Sequence, residues 1–129
     1  MIGVGVHYGP SEIVNDKHQQ CAKNLTIGKR MPPRMFVRTA DARPMDIQDL
    51  LPSDLRWKIL VFVGTLNESR RPEVELLAIE LNEPTSFLRK YPADGQISQM
   101  FDITAIMAGN KKDANYLHVP VLFRPHWSK

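Results

Sequence analysis

The apolar residues of this 129-residue chain fall into a few short segments separated by turn-forming residues. The clearest segment is Trp57–Val63, in which five consecutive apolar residues, Ile59–Val63, show no alternation with polar ones. A strand without alternation is typical of burial on both faces, as in the centre of an α/β sheet. The pattern therefore predicts a central, buried strand that ends at Gly64.

A helical repeat follows this strand. Four apolar residues have the spacing i, i+3, i+4, i+7, which places them on one face of a helix: Val74, Leu77, Ala78 and Leu81. Pro72 suits the first turn, because its missing N–H would have no helical partner there. Pro84 lies just beyond the last periodic residue. The sequence therefore predicts an amphipathic helix from Pro72 to about Leu81.

Weaker patterns predict four more elements. These are a strand at Met35–Arg38, a strand or helical turn at Met45–Leu51, a short helix from Thr85 or Ser86 to Lys90 with Phe87 and Leu88 inward, and a strand at Gln99–Ile106. Pro120 argues against a central strand in the apolar segment Tyr116–Phe123. Two strands that flank a helix form a parallel crossover. The predicted fold class is therefore α/β or α+β, and we take α/β as the first of the two.

Residues 1–33 have a different character from residues 34–129. Glycine and proline occur there at a density typical of loops. We predict an irregular N-terminal arm over 1–33, with one helical turn at Ser11–Asp16, followed by a domain over 34–129.

Composition excludes several classes of protein. The single cysteine excludes an internal disulfide, a CxxC redox pair and a cysteine-rich zinc site. No apolar run approaches the roughly 20 residues that span a bilayer, and the N-terminus lacks the features of a signal peptide. The net charge of +3 comes from scattered basic pairs rather than a stripe with aromatic residues, which argues against nucleic-acid binding. We expect a cytoplasmic protein that binds neither nucleic acid nor membrane.

The segment Gly3–Gly9 has the spacing GxGxxxG, which is close to a dinucleotide-binding fingerprint. That fingerprint needs a strand before it and a helix after it. Only two residues precede Gly3, and Pro10 follows Gly9. The segment is therefore interpreted as a loop, and no cofactor-binding residue is predicted.

The remaining candidate side chains also favour structural roles. His18 and Cys21 have the spacing of two metal ligands, but two are too few for a structural zinc site. Cys21 has only two lysines near it to activate a nucleophilic thiolate. Three carboxylates are best explained by turn and cap hydrogen bonds: Asp41, Asp46 and Asp49. The sequence therefore predicts no catalytic residue and no metal ligand.

Six segments occur in an order and spacing that together are specific: Gly3–Tyr8, Gly28–Pro33, Val37–Pro44, Arg56–Phe62, Ser86–Leu88 and Phe101–Ile103. They resemble the C-terminal domain of fungal phenol 2-monooxygenase-type flavoprotein hydroxylases. The resemblance implies a thioredoxin-like sheet with flanking helices that lacks the CxxC pair and serves dimerisation. In the family, FAD and NADPH act in the preceding domains, so no catalytic residue carries over to this chain.

The resemblance thus implies a non-catalytic dimerisation or interaction module. Its partner is another copy of the chain or a flavoprotein monooxygenase domain, and it holds no cofactor of its own. The alternative is part of a flavoprotein aromatic monooxygenase, hydroxylating phenols together with a separate FAD-binding chain. A thioredoxin-like oxidoreductase is a third hypothesis, which the single Cys21 disfavours.

One departure from the family concerns the C-terminus. In the family, the segment that resembles His126–Lys129 is followed by roughly another 40 residues, about two strands and a helix, which include an antiparallel pair that completes the sheet. We therefore expect a sheet that is incomplete at its C-terminal side. Either Trp57–Val63 or its neighbour would then have an open edge, and open edges recruit partners.

Overall fold

The computed structural model describes residues 5–110 and 115–124. Contacts between Cα atoms divide the chain into two compact units, Met1–Arg34 and Met35–Lys129. Two of the segments discussed above lie partly or wholly outside the described residues: Gly3–Gly9 at its first two positions, and 126–129. One of the scattered basic pairs, Lys111-Lys112, also lies outside them. No helix in the described parts of the chain is long and apolar enough to cross a bilayer.

The first unit is closed by a contact between its two ends. His7 forms an isolated antiparallel bridge with Lys29, and the Tyr8 N–H donates to the carbonyl oxygen of Gly28 at 2.9 Å. Gly28 has a φ of +81°, and a Cβ at this position would lie 2.1 Å from the Tyr8 carbonyl oxygen. The close approach of the two backbones therefore requires glycine at position 28.

The side chain of Gln19 organises the loop inside this unit. Its Nε2 donates to the carbonyl oxygens of Ala22 at 3.0 Å and Leu25 at 2.9 Å, and its Oε1 accepts from the Ile27 N–H at 2.8 Å. A 3₁₀ turn forms at Gln19–Ala22. The helical turn predicted at Ser11–Asp16 is wrong, since the Ser11 Oγ accepts from the Val14 N–H in a local turn instead.

The second unit begins with a hairpin. Strand β1, Met35–Val37, pairs antiparallel with β2, Pro44–Asp46. A 3₁₀ helix, Ile47–Leu50, follows at once, capped by the Asp46 carboxylate, which accepts from the Gln48 N–H at 2.9 Å. The strand predicted at Met35–Arg38 is confirmed. The two alternatives considered for Met45–Leu51 both occur, one after the other.

A parallel strand pair forms the centre of the second unit. Strand β3, Trp57–Gly64, pairs with β4, Phe101–Met107, starting with Trp57 opposite Phe101. The connection contains three helices: α1 at Arg71–Asn82, α2 at Phe87–Lys90 and α3 at Ile97–Met100. The parallel crossover and the α/β class predicted from the sequence are confirmed. Strand β4 begins two residues later than predicted, because Gln99 and Met100 belong to α3.

One face of the sheet carries the core. Its buried members come from both strands, α1, α2 and the C-terminal segment: Val63, Val74, Ala78, Leu88, Phe101, Ile103, Val119 and Phe123. The segment around Pro120 forms two 3₁₀ helices, Tyr116–His118 and Val121–Phe123, and not a strand. The Arg71 Nη2 donates to the His118 Nδ1 at 2.8 Å, which ties the start of α1 to the first of them.

Three burial predictions are wrong. Leu77, which the helical spacing places on the buried stripe of α1, is 40% exposed. Strand β3 is not buried on both faces, since Trp57 and Phe62 are 62% and 52% exposed. Within the described residues the sheet has two strands, so β3 lies at an edge. Phe87 was expected to face inward beside Leu88, which is fully buried. Phe87 is instead partly exposed, with its ring edge-on to Phe101 at a centroid distance of 5.5 Å.

An ionic cluster fixes the beginning of the parallel pair. The Lys58 Nζ lies 2.7 Å from Asp54 Oδ1 and 3.0 Å from Asp102 Oδ2, which belongs to β4. The Arg56 Nη2 lies 2.5 Å from Asp54 Oδ2 and 3.8 Å from Asp102 Oδ2. Asp102 is buried, with 7% of its surface exposed. Because a buried carboxylate needs a partner, this cluster disfavours any slip in the register of β3 against β4.

Hydrogen bonds from Arg56, and next from Lys58, hold the pKa of Asp54 well below its ordinary value of 3.8. Since the folded state favours the ionised carboxylate, Asp54 stabilises the fold fully above about pH 4. That stabilisation is lost as the pH falls through the acid range.

We predict that Arg56→Gln makes stability less sensitive to acid. The free energy of unfolding, measured by urea denaturation at a series of pH values, should fall less steeply below pH 3.8 than in the unmodified chain. Arg43→Gln is the matched control, because the side chain of Arg43 forms no ion pair in the described structure. This account would be contradicted if the free energy of unfolding fell equally steeply with decreasing pH in Arg56→Gln and in the unmodified chain.

We predict that Leu88→Ala lowers the free energy of unfolding by about 2–5 kcal/mol, the usual cost of truncating a fully buried leucine. Leu117→Ala, at an exposed position in the same unit, should change it by no more than about 0.5 kcal/mol. Denaturation followed by circular dichroism at one protein concentration measures both. Equal effects of the two variants would show that Leu88 is not part of the core.

Candidate association surface

The carboxylates considered as candidate catalytic groups are used in local structure. Asp41 forms an ion pair with Arg38 in the turn between β1 and β2, and its Oδ1 accepts from the Arg43 N–H at 3.1 Å. The Arg38 hydrogen bond is the main cause that holds the pKa of Asp41 well below its usual range. Asp46 caps a 3₁₀ helix, and Asp49 lies exposed in the first turn of that helix. Asp41 and Asp46 therefore stabilise a turn and a helix cap.

His18 and Cys21, which have the spacing of two metal ligands, both lie in the first unit. Cys21 is an exposed free thiol within the 3₁₀ turn at Gln19–Ala22. His18 is the residue immediately before that turn. Across residues 5–110 and 115–124, no three histidine, cysteine or carboxylate side chains gather closely enough to hold a metal ion.

The second unit has a cleft of about 970 Å³ between the hairpin and the C-terminal end of β4. Its lining is mostly apolar and includes Phe36, Met45, Leu50 and Ile106. Arg38 and Asp41 also line it, but these two charges are paired with each other. Nothing in this lining sets an acid beside a base in the arrangement that proton transfer requires.

The unpaired edge of β3 forms one exposed apolar surface of the second unit. In the described chain, the other edge of this eight-residue strand has no strand beside it. Trp57 and Phe62, the two large aromatic side chains of β3, are more than half exposed. Leu60 and Phe62 occupy alternate positions, on the sheet face opposite the core residues Val61 and Val63. An exposed strand edge with large apolar side chains is a template for pairing with another chain.

A further exposed apolar surface lies on α1. Val74 and Ala78 are buried as the helical spacing predicts, and Leu81 packs against the core. Leu76 and Ile79 lie outside that stripe and are 56% and 60% exposed. This surface is not among the sequence predictions, although the same helical spacing places the two residues on the outer side. The position of β3 at the edge of the sheet could not be read from the sequence, because apolar runs also occur in central strands.

The chain is similar to known proteins over nearly its whole length. Residues 6–129 match the family model described as phenol hydroxylase, C-terminal dimerisation domain. The chain is 33% identical to the FAD-dependent monooxygenase terD of Aspergillus terreus over 98% of the chain and 21% of the relative. It is also 33% identical to 3-hydroxybenzoate 4-monooxygenase of Comamonas testosteroni, over 95% of the chain and 20% of the relative.

A third relative is phenol 2-monooxygenase fsqG of Aspergillus fumigatus, 36% identical over 52% of the chain and 12% of the relative. The chain thus spans about a fifth of the length of the first two relatives. The resemblance inferred from the six sequence segments is confirmed. This chain belongs to the phenol hydroxylase C-terminal dimerisation domain family.

Proposed function

We propose that this chain is a non-catalytic module that associates with a second copy of itself. The observation that carries the proposal is the unpaired edge of β3, with Phe62 exposed on the sheet face opposite the core and Trp57 exposed at the start of the strand. The family to which the chain belongs is described by its dimerisation. A second copy is therefore the first partner to consider for this edge.

The physical chemistry of the sheet supports association. Two-stranded sheets are marginal on their own, and a parallel pair is slightly less stable per residue than an antiparallel one. Strand β3 presents unpaired N–H and C=O groups along its free edge. Complete burial of an aromatic side chain such as Phe62 is favourable by about 2–3 kcal/mol. A contact along this edge would satisfy backbone groups and cover apolar surface together.

We predict that Phe62→Lys weakens self-association by at least about tenfold, because a charge beside the edge must be desolvated when the copies meet. Val121→Lys is the matched control, since Val121 is also exposed and apolar but lies on a C-terminal 3₁₀ helix. Sedimentation equilibrium over a range of concentrations measures the dissociation constant of each variant. Thermal melts establish that both variants are folded.

Two results would overturn the proposal. One is an unmodified chain that remains monomeric at the highest soluble concentration. The other is a dimer that Phe62→Lys and Val121→Lys affect equally, since that dimer would not use the edge of β3.

A second function is favoured by the relatives, of which one is named an FAD-dependent monooxygenase and two are named for aromatic substrates. The chain would then contribute to monooxygenase activity together with a flavoprotein chain, and the flavin would be held by that partner. Adding the chain to such a flavoprotein should change its turnover or its retention of flavin. This function would be excluded if the flavoprotein kept the same turnover rate and the same flavin content at a saturating concentration of the chain.

We also propose that the chain itself holds no cofactor. Titration of free FAD with the purified chain, followed by flavin fluorescence, should show no saturable change, because no glycine-rich turn between a strand and a helix occurs in the described residues. The same titration with lysozyme is a control for non-specific quenching. Saturable binding at one flavin per chain would contradict the proposal.

We also propose three further properties of the chain: a thioredoxin-like sheet, a cytoplasmic location and a fungal source. The parallel β3–α1–β4 unit is consistent with a thioredoxin-like sheet. The exposed free thiol of Cys21 suits the reducing environment of a cytoplasm. Two of the three relatives are fungal, which supports a fungal source.

A further inference from the structure

The outer side of α1 is an apolar strip surrounded by negative charge. Leu76 and Ile79 are three residues apart, so they are neighbours on the helix surface, and both are more than half exposed. Exposed glutamates occupy most of the neighbouring positions: Glu73, Glu75 and Glu80 on α1, and Glu83 just after it. No lysine or arginine of the described chain lies within 4 Å of these carboxylates. We call these six residues the acidic face.

The positive charge of the protein is concentrated elsewhere. Residues 1–34 contain five basic and two acidic residues, while residues 35–129 contain twelve of each. The first unit therefore carries the entire formal charge of +3. Its five basic side chains are all exposed, and none has a carboxylate within 4 Å in the described structure: Lys17, Lys23, Lys29, Arg30 and Arg34.

Part of this positive charge lies beside exposed apolar side chains. Val6 and Tyr8 flank His7, and Arg30 follows Lys29, at the antiparallel bridge that joins His7 to Lys29. Val6 and Tyr8 are exposed. We call Val6, Tyr8 and Arg30 the basic face, and the Tyr8–Gly28 backbone contact holds it in shape before any partner binds.

We propose that the basic face of one copy docks on the acidic face of a second copy. Tyr8 and Val6 would cover Leu76 and Ile79, and Arg30 would lie among the glutamates. In a twofold-symmetric dimer this contact occurs twice, since each copy supplies one face of each kind. The docking rests on the self-association proposed above, but it uses a surface distinct from the edge of β3.

The distribution of charge favours docking of the basic face on the acidic face. It disfavours a simpler dimer in which the two α1 helices pack face to face. That arrangement would bring together eight carboxylates with no cation among them, and like charges across an interface disfavour association. Complementary charge, in contrast, accelerates encounter and selects the partner, and it weakens as salt screens it. The apolar centre of each face adds burial that salt does not remove.

The test is a pair of charge reversals in the full chain. Glu80→Arg and Arg30→Glu should each raise the dissociation constant of the dimer about tenfold at low ionic strength, because each replaces an attraction with a repulsion. The double variant, Glu80→Arg with Arg30→Glu, should return to within about threefold of the unmodified chain. Sedimentation equilibrium at low and high salt measures all three, and the single effects should shrink at high salt.

Matched controls carry the same charge changes at exposed sites outside the two faces. Glu68→Arg lies in the loop before α1, and Lys17→Glu lies in the first unit. Each should leave the dissociation constant within about twofold. A second readout is carbodiimide crosslinking of a mixture of isotopically light and heavy chains. It should join Lys29, the neighbour of Arg30, in one copy to a glutamate of α1 in the other, and it should not join Lys17.

Several outcomes would overturn the docking. If the controls weaken the dimer as much as the test variants, net charge and not this contact is responsible. If Glu80→Arg weakens the dimer and the double variant does not restore it, another segment occupies the acidic face. If Phe62→Lys weakens the dimer while the charge variants do not, the proposed function stands and the docking fails. A chain that never dimerises refutes both.

Discussion

The parallel pairing of β3 with β4 is the constraint on which the rest of the second unit depends. Parallel neighbours cannot be joined by a tight turn, so the chain between Gly64 and Phe101 must cross the sheet and return. The three helices lie in that crossover, and α1 supplies its buried stripe to the core face. The Lys58–Asp102 pair stabilises the register at the start of both strands. Among the apolar surfaces that this crossover leaves uncovered are an edge of β3 and the outer side of α1.

The limits of prediction from the sequence follow from which interactions are local. The helical spacing of Val74, Ala78 and Leu81 is a local property, and α1 was predicted within one residue at each end. The run Ile59–Val63 identified a strand, but its place in the sheet depends on partners distant in sequence. A buried central strand and an apolar edge strand have the same composition until their neighbours are known. The Gln19 side chain, which bonds to three backbone groups up to eight residues away, had no recognisable pattern at all.

The candidate site was predictable mainly through family resemblance. Residue types and spacing gave no reason to expect chemistry at Asp41, Asp46 or Asp49, and the structure places them in an ion pair, a cap and a helix turn. What the sequence did not reveal is which surfaces are left for a partner. Exposure of Trp57, Phe62, Leu76 and Ile79 depends on how few elements pack around the sheet, and that is a property of the folded unit. Exposed apolar side chains of this kind suit association with a partner.

The most direct test of this account is amide hydrogen exchange at two protein concentrations, one below and one above the dimer transition. The account predicts that amides of β3, from Lys58 to Val63, gain protection at the higher concentration, because those on its free edge then bond to another chain. Amides around the fully buried Leu88 should exchange at the same rate at both concentrations. Equal exchange of the β3 amides at the two concentrations, in samples shown to differ in oligomeric state, would contradict the central claim that this strand edge mediates association.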